Sequence, residues 1–187
     1  MLRFKQRYQK EVVPKMMEKF GYRNQMAVPR IEKAVVNTGF GRQVAGVSTD
    51  EHKKICQAVL DDLALICGQK AVLALSKKSI ASFKLRKGIA IGAKATLRGR
   101  KMEDFIDRLI NIALPRSRDF QGIDEKSLDK EGNLSIGIKE QITFPEVSPE
   151  NIKRLFGLEV AISTTAKTRK EGIELFRLMG FPIKLKS

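Results

Sequence analysis

The sequence predicts an α+β layer fold, one mainly antiparallel sheet with helices on one of its faces. Three observations lead there. Segments with helical apolar spacing and short β-branched segments follow one another as helix, strand, helix, strands, helix, strands, helix, without the regular βαβ rhythm of a parallel sheet. The 187 residues are 42% hydrophobic, enough for a core without disulfide staples. The chain also lacks the internal repeats of a solenoid and the low apolar content of a disordered segment. In such a fold the second face of the sheet is free to bind.

Each element has its own signal. Residues 4–20 place Val12, Val13, Met16, Met17 and Phe20 at helical spacing, and Pro14 predicts a kink or an early end. Residues 21–29 read as turn and linker. Residues 1–27 are thus an N-terminal helical segment packed on or beside a single domain spanning 1–187. Residues 31–37, with Ile31, Val35 and Val36, read as a strand, and Thr38-Gly39-Phe40-Gly41 as a tight turn after it. Ser48 and Glu51 form a capping-box pattern. Behind it Ile55, Cys56, Val59, Leu60, Leu63, Ile66 and Cys67 recur helically until Gly68 stops the run. Residues 71–75 and 89–97 are strand candidates. Met102, Phe105, Ile106, Leu109, Ile110 and Ala113 predict a second amphipathic helix, stopped by Pro115. Residues 116–133 are polar and read as a long surface excursion. Residues 134–138 and 141–144 look like strand pieces, the second ended by Pro145. Ser148-Pro149-Glu150 opens a short helix. Residues 158–165 are a β-branched strand. Thr168 and Glu171 cap a final helix through Ile173, Phe176 and Met179, which Gly180 ends.

Charge narrows the function. Lys and Arg total 36 against 21 Asp and Glu, a net charge of +15. Such a surface attracts polyanions: nucleic acid, an anionic membrane or an acidic protein. The excess is concentrated. Residues 70–99 hold eight basic and no acidic residues, and no Asp or Glu occurs from Leu63 to Met102. Within and beside this run Lys77, Lys78, Lys84, Arg86, Lys87, Lys94, Arg98, Arg100 and Lys101 supply cations, and Ser76, Ser79, Ser82 and Thr96 supply hydroxyls. Gly88, Gly92 and Gly99 let a backbone come close. This is the chemistry of phosphate and ribose contacts. Phe83 is the one aromatic in the run, which favours backbone and shape recognition of folded RNA over extended base stacking. A basic membrane-surface protein would instead carry an amphipathic basic helix, whereas this run has strand and loop character.

Catalytic chemistry is not evident. His52 is the single histidine, in the first turn of a helix, and is expected to be exposed. Cys56 and Cys67 lie eleven residues apart in one helix. That is about 16 Å, too far for a disulfide. They read as small core residues in a reducing compartment. One histidine and two cysteines so spaced do not make a zinc site, and no phosphate-binding glycine motif is present. Asp61-Asp62 and Glu103-Asp104 read as solvated helix charge. Without a cofactor loop or an acid–base pair, an RNA-modifying enzyme lacks its parts. No apolar run approaches the roughly 18 residues of a membrane span, and the opening residues lack the apolar stretch of a secretory signal. The expected setting is the cytoplasm, with no metal and no cofactor.

The blocks VPRIEKAVVN (28–37), GQK (68–70), KKSIASFKLRKG (77–88), IG (91–92), TLRG (96–99), LPRSRDF (114–120), GIKEQITFPE (137–146) and GFP (180–182) occur in this order over nearly the whole chain. In them the chain resembles the bacterial large-subunit ribosomal protein of the universal L-five family, which binds 5S ribosomal RNA. The resemblance implies a concave antiparallel sheet with helices behind it, a ferredoxin/RRM-like layer architecture, and no enzymatic activity. It implies a structural component of the large subunit that anchors 5S rRNA in the central protuberance, contacts the P-site tRNA and bridges to the small-subunit head. Asn37, Gln69 and Thr96 match the family's polar residues that contact 5S rRNA, and Arg30, Lys94 and Arg98 are cationic candidates for rRNA beside them. Lys77, Lys78 and Ser79 fall in the loop that approaches the tRNA elbow. Arg116, Arg118, Asp119 and Phe120 fall where a small-subunit head protein docks. The implied partners are 5S rRNA, the large rRNA of the same subunit, P-site tRNA and that head protein, with no membrane. The chain departs from the family at Leu75, where a basic residue is common, at Gln121 for Arg, Leu128 for Phe, and Lys130-Glu131 for Gly-Arg.

Overall fold

The structure, a computed structural model, describes residues 4–83, 85–118, 120–147 and 154–184. Five strands form one open antiparallel sheet: β1 Ile31–Gly39, β2 Val72–Leu75, β3 Ala90–Leu97, β4 Leu134–Ile138 and β5 Leu158–Thr164. Their order is β2-β3-β1-β5-β4. Burial alternates along them. Ala34, Val36 and Thr38 of β1, Ala93, Ala95 and Leu97 of β3, the ends and centre of β4, and Val160 and Ile162 of β5 are buried. This period of two gives the sheet a covered face and an open one. The class is α+β, as the sequence predicts. The chain forms two compact units, interleaved in sequence: residues 1–34, 98–136 and 161–187, and residues 35–97 and 137–160. Strands β1, β4 and β5 each have residues in both.

The first unit contains the helices that carry proline. Helix α1 (Phe4–Arg7) runs into a π-helical turn (Tyr8–Val12) and on into α2 (Val13–Phe20). Helices α5 (Gly99–Arg108) and α6 (Leu114–Arg116) are joined the same way by a π turn at Leu109–Ala113. The helix ends at Arg116, one residue past Pro115, close to the sequence expectation, whereas Pro14 does not end the first. In each case the amide before the proline reaches back five residues, Val13 to Tyr8 and Leu114 to Leu109. A ring inside a regular α-helix clashes with the carbonyl four residues earlier. The wider turn moves that carbonyl away. Val12, Met16, Phe105, Ile106 and Leu109 are fully buried, as are Leu175 and Phe176 of α7 (Arg169–Leu178). Arg7 Nη1 donates to Met179 O at 3.2 Å, and Lys19 pairs with Glu174 at 2.7 Å.

The 116–133 segment is not a free excursion. Ile123 and Leu128 are buried, Ile123 bridges to Ile183, and Leu128 bridges to Leu134. Glu125 pairs with Arg177 at 3.0 Å, and its carbonyl accepts from Arg169 Nη2 at 2.6 Å. Two isolated apolar residues hold this segment, too few to register as a period in the sequence.

In the second unit, α3 (Gly41–Val44) follows β1, and α4 (Thr49–Cys67) packs on β2 and β3. Ser48 Oγ accepts from the Glu51 amide at 3.3 Å, and Gly68, at φ +61°, ends the helix as predicted. Residues 141–144 are not a strand. Gln141–Thr143 is a 3₁₀ turn because Gln141, fully buried, uses its side chain as a clamp. Its Nε2 donates to Arg154 O at 2.7 Å, and its Oε1 accepts from Phe156 N at 2.8 Å. The helix predicted at Ser148 lies outside the described residues. Cys56 and Cys67 are both buried, and burial pushes the Cys56 thiol up. His52 is half-buried rather than exposed, its Nε2 2.9 Å from Ala90 O. No helix among the described residues is long and apolar enough to cross a membrane.

Candidate nucleic-acid interface

The cationic run of the sequence folds into the β2–β3 hairpin. The two strands pair Val72 with Lys94 and Ala74 with Gly92, with an irregularity before Leu75. Beyond them the connection closes on itself. The Ser76 amide donates to Ile89 O at 2.8 Å and the Gly88 amide to Ser76 O at 3.0 Å. Ser76 Oγ, on a buried residue, donates to Lys78 O at 2.6 Å, and Ile80 and Leu85 form a further bridge. Ser79 Oγ accepts from the Lys87 amide at 3.0 Å. With the backbone satisfied internally, Lys77, Lys78, Arg86 and Lys87 extend outward and are exposed. Gly88 takes φ +87°, which lets the chain turn back into β3. Lys84 lies outside the described residues.

Among the described residues, no carboxylate pairs with Lys70, Lys77, Lys78, Arg86, Lys87, Lys94, Arg98 or Lys101. Arg100 reaches Asp104 at 3.9 Å in an exposed contact one helical turn away. Exposed pairs of that kind contribute little. The charge that the sequence concentrates in residues 70–101 therefore stays available to an external anion.

The predicted rRNA residues divide between the units. In the second, Gln69 Nε2 donates to Thr96 O at 3.1 Å, which brings these two together at the end of α4 and in β3. Lys94 is exposed two residues earlier on the same face of β3. Asn37, exposed on the neighbouring strand β1, points away from the side that buries Val36 and Thr38. Asn37, Lys94 and Thr96 thus share the open face of the sheet, and Gly39, Lys139 and Glu159 line a shallow depression with Asn37. In the first unit, Arg98 is exposed at the N-terminus of α5. Arg30 is exposed, with its backbone tied to Thr165 by bonds of 2.9 and 3.0 Å. Arg116 and Arg118 are exposed, Phe120 is half-buried, and Asp119 lies outside the described residues.

Sequence reasoning missed two features of this surface. Ser76 is a buried clamp of the hairpin, although it reads as one hydroxyl among several. Arg42, Gln43, Phe83 and Leu155 come together around a cleft whose described walls derive from four separate chain stretches. Exposed Phe83 inside a polar run was the available signal. Among the described residues no cluster of three or more His, Cys, Asp or Glu could hold a metal ion.

A layered α+β scaffold that keeps a carboxylate-free cationic hairpin clear of its own acids defines a structural RNA-binding protein. Comparison with known proteins gives the family. Residues 24–86 match the family model "Ribosomal protein L5", and residues 90–183 match the model of that ribosomal family's C-terminus. The large ribosomal subunit protein uL5 of Syntrophomonas wolfei is 50% identical over 184 residues, 98% of this chain and 100% of the relative. That of Thermoanaerobacter sp. is 49% identical over 182 residues, 97% of this chain and 98% of the relative. That of Alkaliphilus oremlandii is 50% identical over the same length with the same coverage. The chain belongs to the ribosomal protein L5 family. It is a ribonucleoprotein component of the large ribosomal subunit, cytoplasmic, structural rather than enzymatic, and a partner of ribosomal RNA.

Proposed function

We propose that this chain, folded as a single domain over 1–187, binds 5S rRNA and anchors it in the central protuberance of the large subunit. In this reading it also touches the large rRNA and the P-site tRNA and bridges to a protein of the small-subunit head. The observation that carries the reading is the β2–β3 hairpin, whose cations face no described carboxylate and whose loop backbone is closed by its own serines. Asn37, Lys94 and Thr96, on one open sheet face, offer the mixture of neutral donors and acceptors with a cation that ribose and phosphate recognition uses. Gln69, which orients the Thr96 carbonyl, Arg30 and Arg98 complete the proposed rRNA set. Lys77, Lys78 and Ser79 are the proposed tRNA contacts, and Ser79 Oγ also accepts from the Lys87 amide within the loop. Arg116, Arg118, Asp119 and Phe120 are the proposed bridge residues, in a segment that Gln121 and Lys130-Glu131 leave less basic than the family pattern.

The test is a gel-shift series with a 5S rRNA transcript, an unrelated RNA duplex and a DNA duplex at several salt concentrations. Tighter binding of 5S rRNA with a steep salt dependence is the expected result. Equal binding of all three would reduce the protein to a non-specific polycation. Asn37→Ala is expected to weaken 5S rRNA binding with the fold intact, and unchanged affinity removes Asn37 from the site.

A further inference from the structure

We infer that the cleft beside the hairpin tip takes one unstacked nucleobase of the bound RNA. The inference rests on the reading of this hairpin as RNA-facing. The cleft lies within the second unit, between the tip residues Ser82, Phe83 and Leu85, the segment that begins α3, and residues 155–157. Phe83 is 67% exposed and Leu155 52% exposed, although both line it. Phe40 and Phe156 form a buried apolar floor. Among the described residues Arg42 is the one charged residue in its wall, and no described carboxylate lines it.

Two properties choose the occupant. An apolar floor with an exposed phenyl ring on one side and a guanidinium at the rim suits a base, which stacks on both. Gln43 is committed within the wall, its Nε2 donating to Leu155 O at 3.0 Å. The second property is charge. The cleft opens beside Arg42 and a hairpin with no described carboxylate, so a phosphate-linked ligand meets attraction. Lys77, Lys78, Arg86 and Lys87 would hold the sugar–phosphate strand while Phe83 stacks on one base turned out of it.

The chain contains no tryptophan, so Phe83→Trp introduces a single indole at the cleft. Its emission is followed on titration with a 5S rRNA transcript, a tRNA transcript and a plain RNA duplex with no unpaired base. Quenching by 5S rRNA or by tRNA, and not by the duplex, is the expected result, and it also identifies which RNA gives the base. Phe83→Ala is expected to weaken that RNA about ten-fold with an unchanged salt slope, because stacking releases no counterions, and Phe83→Tyr to stay within about two-fold. Exposure of Phe83 predicts that all three variants keep the wild-type circular dichroism spectrum. If wild-type protein binds 5S rRNA but Phe83→Ala binds it equally and the indole is not quenched, the base site is refuted and the RNA-binding reading stands. If wild-type protein prefers neither 5S rRNA nor tRNA to the duplex, both fall together.

Discussion

Two long connectors, residues 76–89 and residues 117–133, have similar polar character in the sequence and opposite designs in the structure. The first holds itself by backbone bridges and two serine hydroxyls and turns its cations outward. The second is fixed by apolar anchors at Ile123 and Leu128, by Glu125 between Arg169 and Arg177, and by Asp129, whose carboxylate accepts from the amides of Glu131 and Asn133 and from the Asn133 side chain at 2.8 to 3.0 Å. One connector leaves its charges for a ligand, while the other engages two of its carboxylates, those of Glu125 and Asp129, within the protein. A long polar loop is therefore not one kind of object. What distinguishes the two is whether opposite charges occur within reach, and the sequence states this directly: residues 117–133 mix both signs, whereas residues 76–89 carry only one.

The comparison can be broken most severely at Gly172. A Cβ placed there would lie 2.5 Å from Gly132 Cα and 2.7 Å from Gly132 O, backbone atoms of the second connector that cannot swing aside. Gly172→Val is expected to destabilise the fold by about 3 kcal/mol, at the upper end of overpacking costs. Chemical denaturation checks it, and a loss below about 1 kcal/mol would mean that α7 and the turn separate easily. A next, smaller effect sharpens the other side. Replacing Lys77 and Lys78 together by Ala is expected to lower the slope of log K against log salt for RNA by about two, with stability unchanged. An unaltered slope would take both off the phosphate list.

The smallest effect is pH-dependent. Slight burial pushes the Asp129 carboxyl up, but hydrogen bonds from the Asn133 side chain and the amides of Asn133, Glu131 and Gly132 outweigh that and hold it below the usual carboxylate range. A carboxyl whose folded pKa is depressed binds fewer protons folded than unfolded as pH falls through about 4. Its stabilisation is present above the unfolded value and is lost as pH drops through the folded one. Asp129→Asn is therefore expected to cost under about 1 kcal/mol at neutral pH, screened by its exposure, and to lose less stability than wild type between pH 6 and pH 3. Parallel acid-unfolding curves for the two proteins would remove Asp129 as the source. A single cooperative thermal transition, seen by all probes, checks the one-domain reading.

Much of the architecture was legible because it is carried by local signals. Ser48, Thr168, Gly68 and Gly180 mark helix ends by chemistry that acts within four residues, and the β-branched segments mark all five strands to within two residues. The failures share a cause. Gln141 makes a turn because of Arg154 and Phe156, thirteen and fifteen residues away, and periodicity does not register such partners. His52 reads as exposed until Ala90 is placed beside it. The proposed site was legible as charge and as family pattern. Its geometry was not, since Asn37 and Lys94 come onto adjacent strands only through the sheet order β3-β1, and the Phe83 cleft assembles from four stretches of the described chain.

The paired π turns set a direction as well as making room for proline. Each inserts one residue beyond the α-helical repeat, and one residue corresponds to about 100° of rotation around the helix axis. The turn at Leu109–Ala113 consequently fixes the azimuth at which Arg116 leaves α6 and the connector departs. Removing one residue from that turn would restore an ordinary helix and leave Pro115 within it, but would swing the guanidinium through roughly a quarter of a circle. The insertion thus works as a phase adjuster between a buried helix and the charged segment it launches.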